Sequence, residues 1–386
     1  MNILVAITYY RPHMSGLTIY AERLAKSLVK RGHIVTILTS RFSPDLPMYE
    51  EMDGVKIVRA PVLVRISKGV VMPSFGFLSG KLLKHHDVVH LHLPQFDAVR
   101  VAVRARLRRK PVVMTYHCDL QLPRGIFNWI VNQIVLLLNN LAAVFSDTIV
   151  TYTRDYAEHS RFAMRFKKKL RVINPPVDLP AVQKKEIASF RTTHNHDEHH
   201  PIIGMAARFA SEKGVEILLD ALEVILEKYP LTQVWFAGPY ENIIGEQAYY
   251  ERLKPQIDKY VSQKHWKFLG LLSPQEMALF YPNLDILTIP SLNSTEAFGL
   301  IQIEAMMNGV PSIASNLPGV RQPVIRHGMG EIIGIGNSQQ LARAVNKIMQ
   351  NRAVYTKNFQ KIAEQYTPDS VAKNYEQLYR ELLDQS

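Results

Sequence analysis

The sequence predicts an α/β protein made of two doubly wound domains in tandem, and three observations lead there. The chain has 386 residues, more than the roughly 250–300 at which a single hydrophobic core stops growing. Short apolar runs alternate with stretches of helical periodicity, the pattern of a parallel sheet covered by helices on both faces. That alternation breaks once, at residues 181–200, and then begins again.

In the first series, residues 1–8 are a largely apolar run with no basic lead, followed by Tyr9, Tyr10, Arg11 and Pro12. It reads as a buried strand and not as a signal peptide. Ala21, Leu24, Ala25 and Leu28 then keep the i, i+3, i+4, i+7 spacing of a helix, with Gly32 placed as its C-terminal cap. Further strands are expected at residues 33–40, 87–93, 111–116, 148–151 and 170–173. Residues 181–200, polar, unperiodic and bounded by Pro180 and Pro201, read as an interdomain linker. The second series gives strands at 202–206, 232–237, 266–269, 286–289, 310–314 and 330–333. Thr367 and Pro368 then suit an N-cap and first helical position, with Val371, Tyr375, Leu378 and Leu382 at helical spacing behind them. The expected domains are 1–180 and 201–367, the closing helix at 368–386 packing back on the first.

Hydrophobic residues make 47% of the chain and charged residues 21%, enough apolar side chain for two packed cores and too little charge for a disordered chain. Cys118 is the only cysteine, so no intrachain disulfide can form and a cytoplasmic location is expected. The charge is unevenly spread: residues 1–180 carry 26 Lys and Arg against 12 Asp and Glu, and residues 181–386 carry 20 against 22. A basic excess in one domain points to an anionic membrane, an acidic acceptor or nucleic acid, or else to a well-solvated surface. No nucleic-acid-binding motif is present, so nucleic acid is not an expected partner.

Residues 123–145 are dominated by Ile, Val, Leu, Phe and Trp129, yet Asn128, Asn132, Gln133, Asn139 and Asn140 interrupt them. Most of this stretch reads as core helix. Part of it, with the apolar loop 69–78 and the basic runs 104–110 and 161–171, suits peripheral docking on anionic lipid, at the inner face of the cytoplasmic membrane. His90 and His92 alternate along a strand and share one face; they read as lining the strand end without a metal. His194, His196, His199 and His200 fall in the linker and read as surface.

Chemistry is sought where the strands end, since doubly wound sheets bind ligands there. The loop after the first strand has Ser15 and Gly16 but no Gly-x-Gly-x-x-Gly, which removes the main support for a dinucleotide-dependent dehydrogenase. Residues 294–304, STEAFGLIQIE, follow a strand and place Glu296 and Glu304 on either side of Gly299. A helix opening at Gly299 would offer free backbone N–H groups to an anion, while the two carboxylates accept hydrogen bonds from hydroxyls. Both glutamates are also what an ordinary helix start favours. Residues 204–214, GMAARFASEKG, set Arg208 and Lys213 directly after the first strand of the second domain, cations suited to a diphosphate. No Asp-x-Asp triplet is present to anchor a divalent metal.

Arg208, Lys213 and Gly214, then Glu296-Ala-Phe-Gly-Leu and Glu304, resemble in order and spacing the signature of the retaining glycosyltransferases of family 4, most strongly over residues 200–320. That resemblance implies the GT-B architecture of two facing Rossmann-like domains, the first binding the acceptor and the second the nucleotide sugar. It implies that Arg208 and Lys213 contact the diphosphate, Glu296 the hexose hydroxyls and Glu304 the ribose, with the backbone of Phe298, Gly299 and Leu300 supporting sugar and phosphate. Gly16 keeps only the second glycine of the family's Gly-Gly loop, and His117, ending the strand VVMTYHCD, is similar to the family histidine that hydrogen-bonds the hexose. The implied reaction is transfer of a hexose from a UDP- or GDP-sugar to a lipid or lipid-linked acceptor, retaining, with neither a metal nor a cofactor. A nucleotide-sugar epimerase of the same architecture and a transferase with a soluble acceptor are the alternatives.

Overall fold

The structure is a computed structural model that describes residues 1–66, 69–121, 125–243, 245–356 and 359–385. It divides into two compact units. The first comprises Met1–Val177 and Gln365–Ser386, and the second Asp178–Glu364.

The first unit runs β1 (Asn2–Ala6), α1 (Gly16–Lys30), β2 (Ile34–Arg41), β3 (Tyr49–Met52), β4 (Val55–Pro61), β5 (Val64–Ile66), β6 (Gly69–Val71) and α2 (Phe75–Leu82). It continues through β7 (Val88–Leu93), α3 (Ala98–Leu107), β8 (Val112–Tyr116), α4 (Ile126–Val144), β9 (Thr148–Thr151), α5 (Arg154–His159) and β10 (Leu170–Val172). Eight strands form one sheet in the order β10-β9-β8-β7-β1-β2-β4-β3, parallel except for the antiparallel β3–β4 pair. The middle strands are buried end to end, as expected of a sheet covered on both faces. Strand order reverses between β1 and β7, which is where a doubly wound sheet opens a crevice.

The second unit runs α6 (Lys184–His194), β11 (Ile202–Ala206), α7 (Val215–Lys228), β12 (Gln233–Ala237), α8 (Gln247–Ser262), β13 (Trp266–Gly270), α9 (Pro274–Phe280) and β14 (Ile286–Ile289). Then follow α10 (Leu300–Met306), β15 (Ser312–Ser315), α11 (Gln322–His327), β16 (Gly330–Ile333), α12 (Ser338–Gln350), α13 (Arg352–Tyr355) and α14 (Phe359–Tyr366), whose last residues pass into the first unit. Its six-stranded parallel sheet has the order β13-β12-β11-β14-β15-β16. The reversal lies between β11 and β14.

The last helix, α15 (Pro368–Leu383), belongs to the first unit and packs on it as the sequence suggests. Thr367 caps it, its side chain accepting from the Ser370 amide. Its Tyr375 hydroxyl lies 2.7 Å from those of Tyr20 and Thr115, and its Tyr379 hydroxyl 2.7 Å from His90 Nδ1. At the rim, Arg31 of α1 pairs with Glu376 at 2.8 Å and Asp369 at 3.0 Å.

Three expectations need correction. The linker read at 181–200 contains α6, opened by a reciprocal capping box between Gln183 and Glu186. Its composition is polar because it buries only a narrow stripe, Phe190 against Trp235 with ring centroids 6.1 Å apart, and its Ile187 carbonyl accepts from Asn283. The apolar loop at 69–78 is instead β6 and the start of α2, with Val70, Met72 and Phe75 buried and Phe77 exposed. The β3–β4 hairpin went unread, although Asp53-Gly54, both at positive φ (52° and 76°), is the tight-turn signature between two strands. Of the apolar stretch 123–145, residues 123 and 124 lie outside the described residues.

Candidate active site

In the second unit the sequence-selected residues converge on the reversal of strand order. The loop leaving β11 is tied along its length: Ala207 N donates to Ala237 O at 2.9 Å, Phe209 N to Pro239 O at 2.8 Å and Leu292 N to Glu212 O at 2.9 Å. Ser211 N donates to the buried Glu246 carboxylate at 3.0 Å. Phe209, fully buried, anchors the loop in the core. The tight turn after Ser211 ends at Gly214, whose φ is +68°. A Cβ there would lie 2.2 Å from the Pro290 carbonyl oxygen, so only glycine lets the loop after β11 close against the loop after β14.

That closure brings Lys213 Nζ to 2.7 Å from Glu296 Oε2, a pair separated by 83 residues in sequence, with each side chain about one-fifth exposed (19%). Arg208 is held by an ion pair to Glu212. Both cations are therefore fixed by carboxylates and remain solvent-accessible, as groups awaiting an anionic ligand should be.

Gly299, at φ +78°, is the N-cap of α10. A Cβ there would meet Ile289 Cδ1 at 2.6 Å, so glycine is again required. The backbone N–H groups that open α10 have no carbonyl inside the helix. Phe298 is buried, and Leu300 is the half-buried first residue of the helix. The buried amide of Gln302 donates to Phe298 O at 3.0 Å and Val320 O at 2.8 Å, which fixes this turn from below. Glu304 is buried on the same helix, its Oε2 accepting from the Tyr281 hydroxyl at 2.6 Å.

The first unit has its own cavity, about 160 Å³, at the reversal between β1 and β7. Thr8, Tyr9 and Ser15 line it after β1, His92, Gln95 and Phe96 at the end of β7, and Val131 and Val135 from α4. Gly16 follows Ser15, whose hydroxyl caps α1 by accepting from Thr18 N at 3.2 Å. A Cβ on Gly16 would meet nothing within 4 Å, so its flank is open to a ligand.

His117 stands behind this cavity. Its Nε2 is 2.8 Å from His92 Nδ1, and its Nδ1 is bonded to the Tyr152 hydroxyl. Both ring nitrogens are thus occupied, and the cavity-facing ring is His92, whose Nε2 has no partner among the described residues. His90 stacks on His92 with centroids 4.4 Å apart and bonds Thr115 and Tyr379. Burial pushes the His92 imidazolium down to about 3 and those of His90 and His117 well below the usual range, neighbouring histidines adding to the effect. All three rings are neutral at working pH. Sequence reading gives the hexose contact to His117 and has His90 and His92 only lining the strand end; the ring that lines this cavity is His92 and not His117, because the β7–β8 register sets His92 beside Thr115. Gln95 was missed altogether.

The histidines at 194–200 are not all on the surface as expected: His194 packs against Phe190, His196 bonds the Thr192 carbonyl and His199 is buried; these three line one pocket with Asp197, and no metal-ligating group forms among the described residues.

Comparison with known proteins places the chain in a family. Residues 14–180 match the family described as Glycosyltransferase Family 4, and residues 186–366 match Glycosyl transferases group 1. An uncharacterized glycosyltransferase of Methanocaldococcus jannaschii is 25% identical over 98% of each chain. A phosphatidyl-myo-inositol mannosyltransferase of Mycobacterium leprae is 29% identical over 87% of this chain and 84% of its own. The solved structure of Anabaena HepE in complex with UDP-glucose matches 99% of this chain and 100% of its own, with TM-score 0.77 at 20% identity, and so shares the fold. With both halves of the sequence matched and the second unit carrying its ion-paired loop beside a glycine-opened helix, the chain belongs to the family 4 glycosyltransferases.

Proposed function

We propose that this glycosyltransferase moves a hexose, glucose or mannose, from a UDP- or GDP-sugar to a lipid or lipid-linked acceptor, with retention of configuration and without a metal or cofactor. The observation that carries the reading is the Lys213–Glu296 pair, 2.7 Å apart beside the start of α10. One face of this pair suits a phosphate and the other a sugar hydroxyl. Arg208 and Lys213 neutralise the diphosphate as the bond from the anomeric carbon to the phosphate oxygen breaks, a role a divalent metal would otherwise fill. Glu296 orients the hexose hydroxyls and Glu304 the ribose, while the backbone at Phe298, Gly299 and Leu300 supports phosphate and sugar. Gly16, in the first unit, lets backbone come close to the donor phosphate.

Of the carboxylates in this site, Glu296 is paired with Lys213 and Glu304 accepts from the Tyr281 hydroxyl, which favours a front-face route over a covalent glycosyl-enzyme. The departing diphosphate oxygen takes the proton of the acceptor hydroxyl, and the new bond forms on the face the phosphate leaves. The UDP-glucose bound by HepE and the lipid in the name of the mycobacterial relative support donor and acceptor class.

The acceptor reading places the protein at the cytoplasmic face of a membrane. Supporting it are the basic excess of residues 1–180 and the outer face of α4, where Ile126, Phe127, Trp129, Ile130, Ile134 and Leu137 are exposed. Helix α4 is 19 residues long and apolar enough to cross a membrane by length and composition. Its other face, however, buries Val131, Val135 and Asn139 in the unit, which suits lying along an interface.

The test is incubation of the chain with radiolabelled UDP-glucose, UDP-galactose, GDP-mannose and lipid extract, with the product's anomeric configuration read by NMR. An α-linked glycolipid formed in the presence of a chelator is expected. A β-linked product would overturn retention, and conversion of the donor with no acceptor would favour an epimerase.

A further inference from the structure

Helix α10 buries two polar side chains that engage different neighbours. Gln302 and Glu304 are two residues apart, hence about 200° apart around a helix. Gln302 bonds the Phe298 and Val320 carbonyls and the Ser312 hydroxyl, contacts that place the backbone of the surrounding loops. Glu304, 8% exposed, instead has its carboxylate held: Oε2 accepts from the Tyr281 hydroxyl at 2.6 Å, across 23 residues of sequence.

The partner is built as a rigid arm. Tyr281 opens a single 3-10 turn, Tyr281–Asn283, between α9 and β14. Its ring is wholly buried, edge-on to Phe280 with centroids 5.4 Å apart and clustered with Phe190, Trp235, Leu284 and Ala305. Asn283 fastens the turn by donating to the Ile187 carbonyl at 3.2 Å and the Leu279 carbonyl at 2.8 Å. A packed tyrosine ring has little torsional freedom, whereas a glutamate left to itself samples many rotamers and loses them on binding.

We propose that Tyr281 is a positioning residue for the nucleotide ribose, its hydroxyl holding the Glu304 carboxylate in the orientation that accepts from the ribose hydroxyls. The inference rests on the transferase reading, in which Glu304 meets the ribose, and adds to it a residue that acts through Glu304 without touching the ligand. An ionised carboxylate has about four lone-pair sites, so one bond from Tyr281 fixes its plane without by itself saturating it. A neutral donor also suits the task. Glu296 is paired with a cation, Lys213, but a phenol leaves the negative charge of Glu304 uncompensated, and a charged acceptor bonds a neutral hydroxyl more strongly. Because the carboxylate is ordered before the nucleotide arrives, that ordering is not subtracted from affinity.

Preference for ribose is the readout, because a residue that merely holds the core would not move it. The full chain is titrated calorimetrically with UDP and with GDP, and the tighter of the two is then compared with its 2′-deoxy and 3′-deoxy forms. The parent is expected to favour the ribonucleotide by about tenfold, the order of one hydrogen bond. Tyr281→Phe removes one oxygen and keeps the ring. It should shrink that preference to about threefold or less, while affinity for the deoxy forms stays within about twofold of the parent's. With the sugar donor, its KM should rise and its kcat hold, since a ribose contact serves ground and transition state alike. Glu304→Leu should abolish the preference.

The parent's full preference retained in Tyr281→Phe, an equal loss of affinity for ribo and deoxy forms, or a variant that does not fold would each overturn the assignment and make the hydroxyl a prop for the core. Glu304→Leu separates that failure from a failure of the reading beneath it. If it loses the preference, Glu304 stays at the ribose and only Tyr281 is removed. If it keeps the preference, or if the parent shows none, Glu304 does not meet the ribose and its place in the donor site falls together with the inference.

Discussion

His92 Nδ1 and His117 Nε2 lie 2.8 Å apart in the interior of the first unit, and neither ring carries a charge at neutral pH. With His90 stacked on His92, three buried imidazoles lie side by side. Unfolded, each would titrate near pH 6.5; folded, His92 holds no proton until about pH 3, and His90 and His117 are likewise depressed. The unfolded chain therefore binds more protons below pH 6.5, and stability falls as the pH drops through that value toward the folded-state values. Three rings give a slope of up to about 4 kcal/mol per pH unit in the steep part of this window. Urea unfolding at pH 7.5, 6.0 and 5.0, followed by loss of structure in the first unit, should show this loss, and a flat profile between 7.5 and 5.0 would contradict it.

The glycines divide sharply. Gly214→Ala forces a Cβ onto the Pro290 carbonyl oxygen at a φ that L side chains avoid, a combination worth about 1–3 kcal/mol or more. The second unit should melt several degrees lower and lose donor affinity with the displaced Lys213. Gly16→Ala meets nothing, so its melting temperature should stay within a degree or so of the parent while turnover drops by about tenfold, the signature of a ligand approaching that flank. Differential scanning calorimetry beside initial rates separates the two cases; unchanged turnover in Gly16→Ala would remove Gly16 from the donor site.

Lys213 and Glu296 should behave as a unit. Glu296→Ala and Lys213→Met are each expected to lower turnover by about 10²- to 10³-fold, the usual cost of removing one charge-stabilising group. The double variant should be far from the product of the singles, because either change leaves the partner misplaced. UDP-induced stabilisation should vanish in Lys213→Met and be only weakened in Glu296→Ala if the lysine meets phosphate and the glutamate meets sugar. Full additivity in the cycle would show that the pair is an incidental contact.

Much of this was legible in the sequence. Strands such as Ile202–Ala206, Ile286–Ile289 and Thr148–Thr151 are short apolar runs between turn signals, because a strand buried on both faces has no polar position to blur the pattern. Arg208, Lys213, Glu296 and Gly299 were singled out by their resemblance to a family motif, since each alone also suits an ordinary loop or helix start; that Lys213 and Glu296 meet is seen only in the fold. What the sequence hid depends on register and depth. Helix α6 was lost because only Phe190 and its near neighbours are buried, too narrow a stripe for periodicity to register. The exchange of places between His92 and His117 follows from the β7–β8 pairing, and Gln95 became notable only when its amide proved to be buried beside a cavity. The Asp53-Gly54 turn was there to be read.

Membrane association should depend on α4 and on charge together. The outer face of the helix exposes Trp129, Ile130 and Ile134. Its C-terminal end is capped by Lys169, whose Nζ lies 3.0 Å from the Ala143 and Val144 carbonyls and 2.7 Å from that of Ser146, which brings the basic run 161–171 to one end of the apolar face. Apolar insertion and attraction to anionic lipid reinforce one another, each basic group near the surface contributing about 1 kcal/mol. The chain should therefore float with vesicles containing phosphatidylglycerol and much less with phosphatidylcholine alone, and raising the salt should release it because screening shortens the reach of the charges. Ile130→Ser with Ile134→Ser should weaken flotation on anionic vesicles without shifting the melting temperature, since both side chains already face solvent. Undiminished binding by that double variant would mean that charge alone recruits the protein, and that the apolar face of α4 has some other partner.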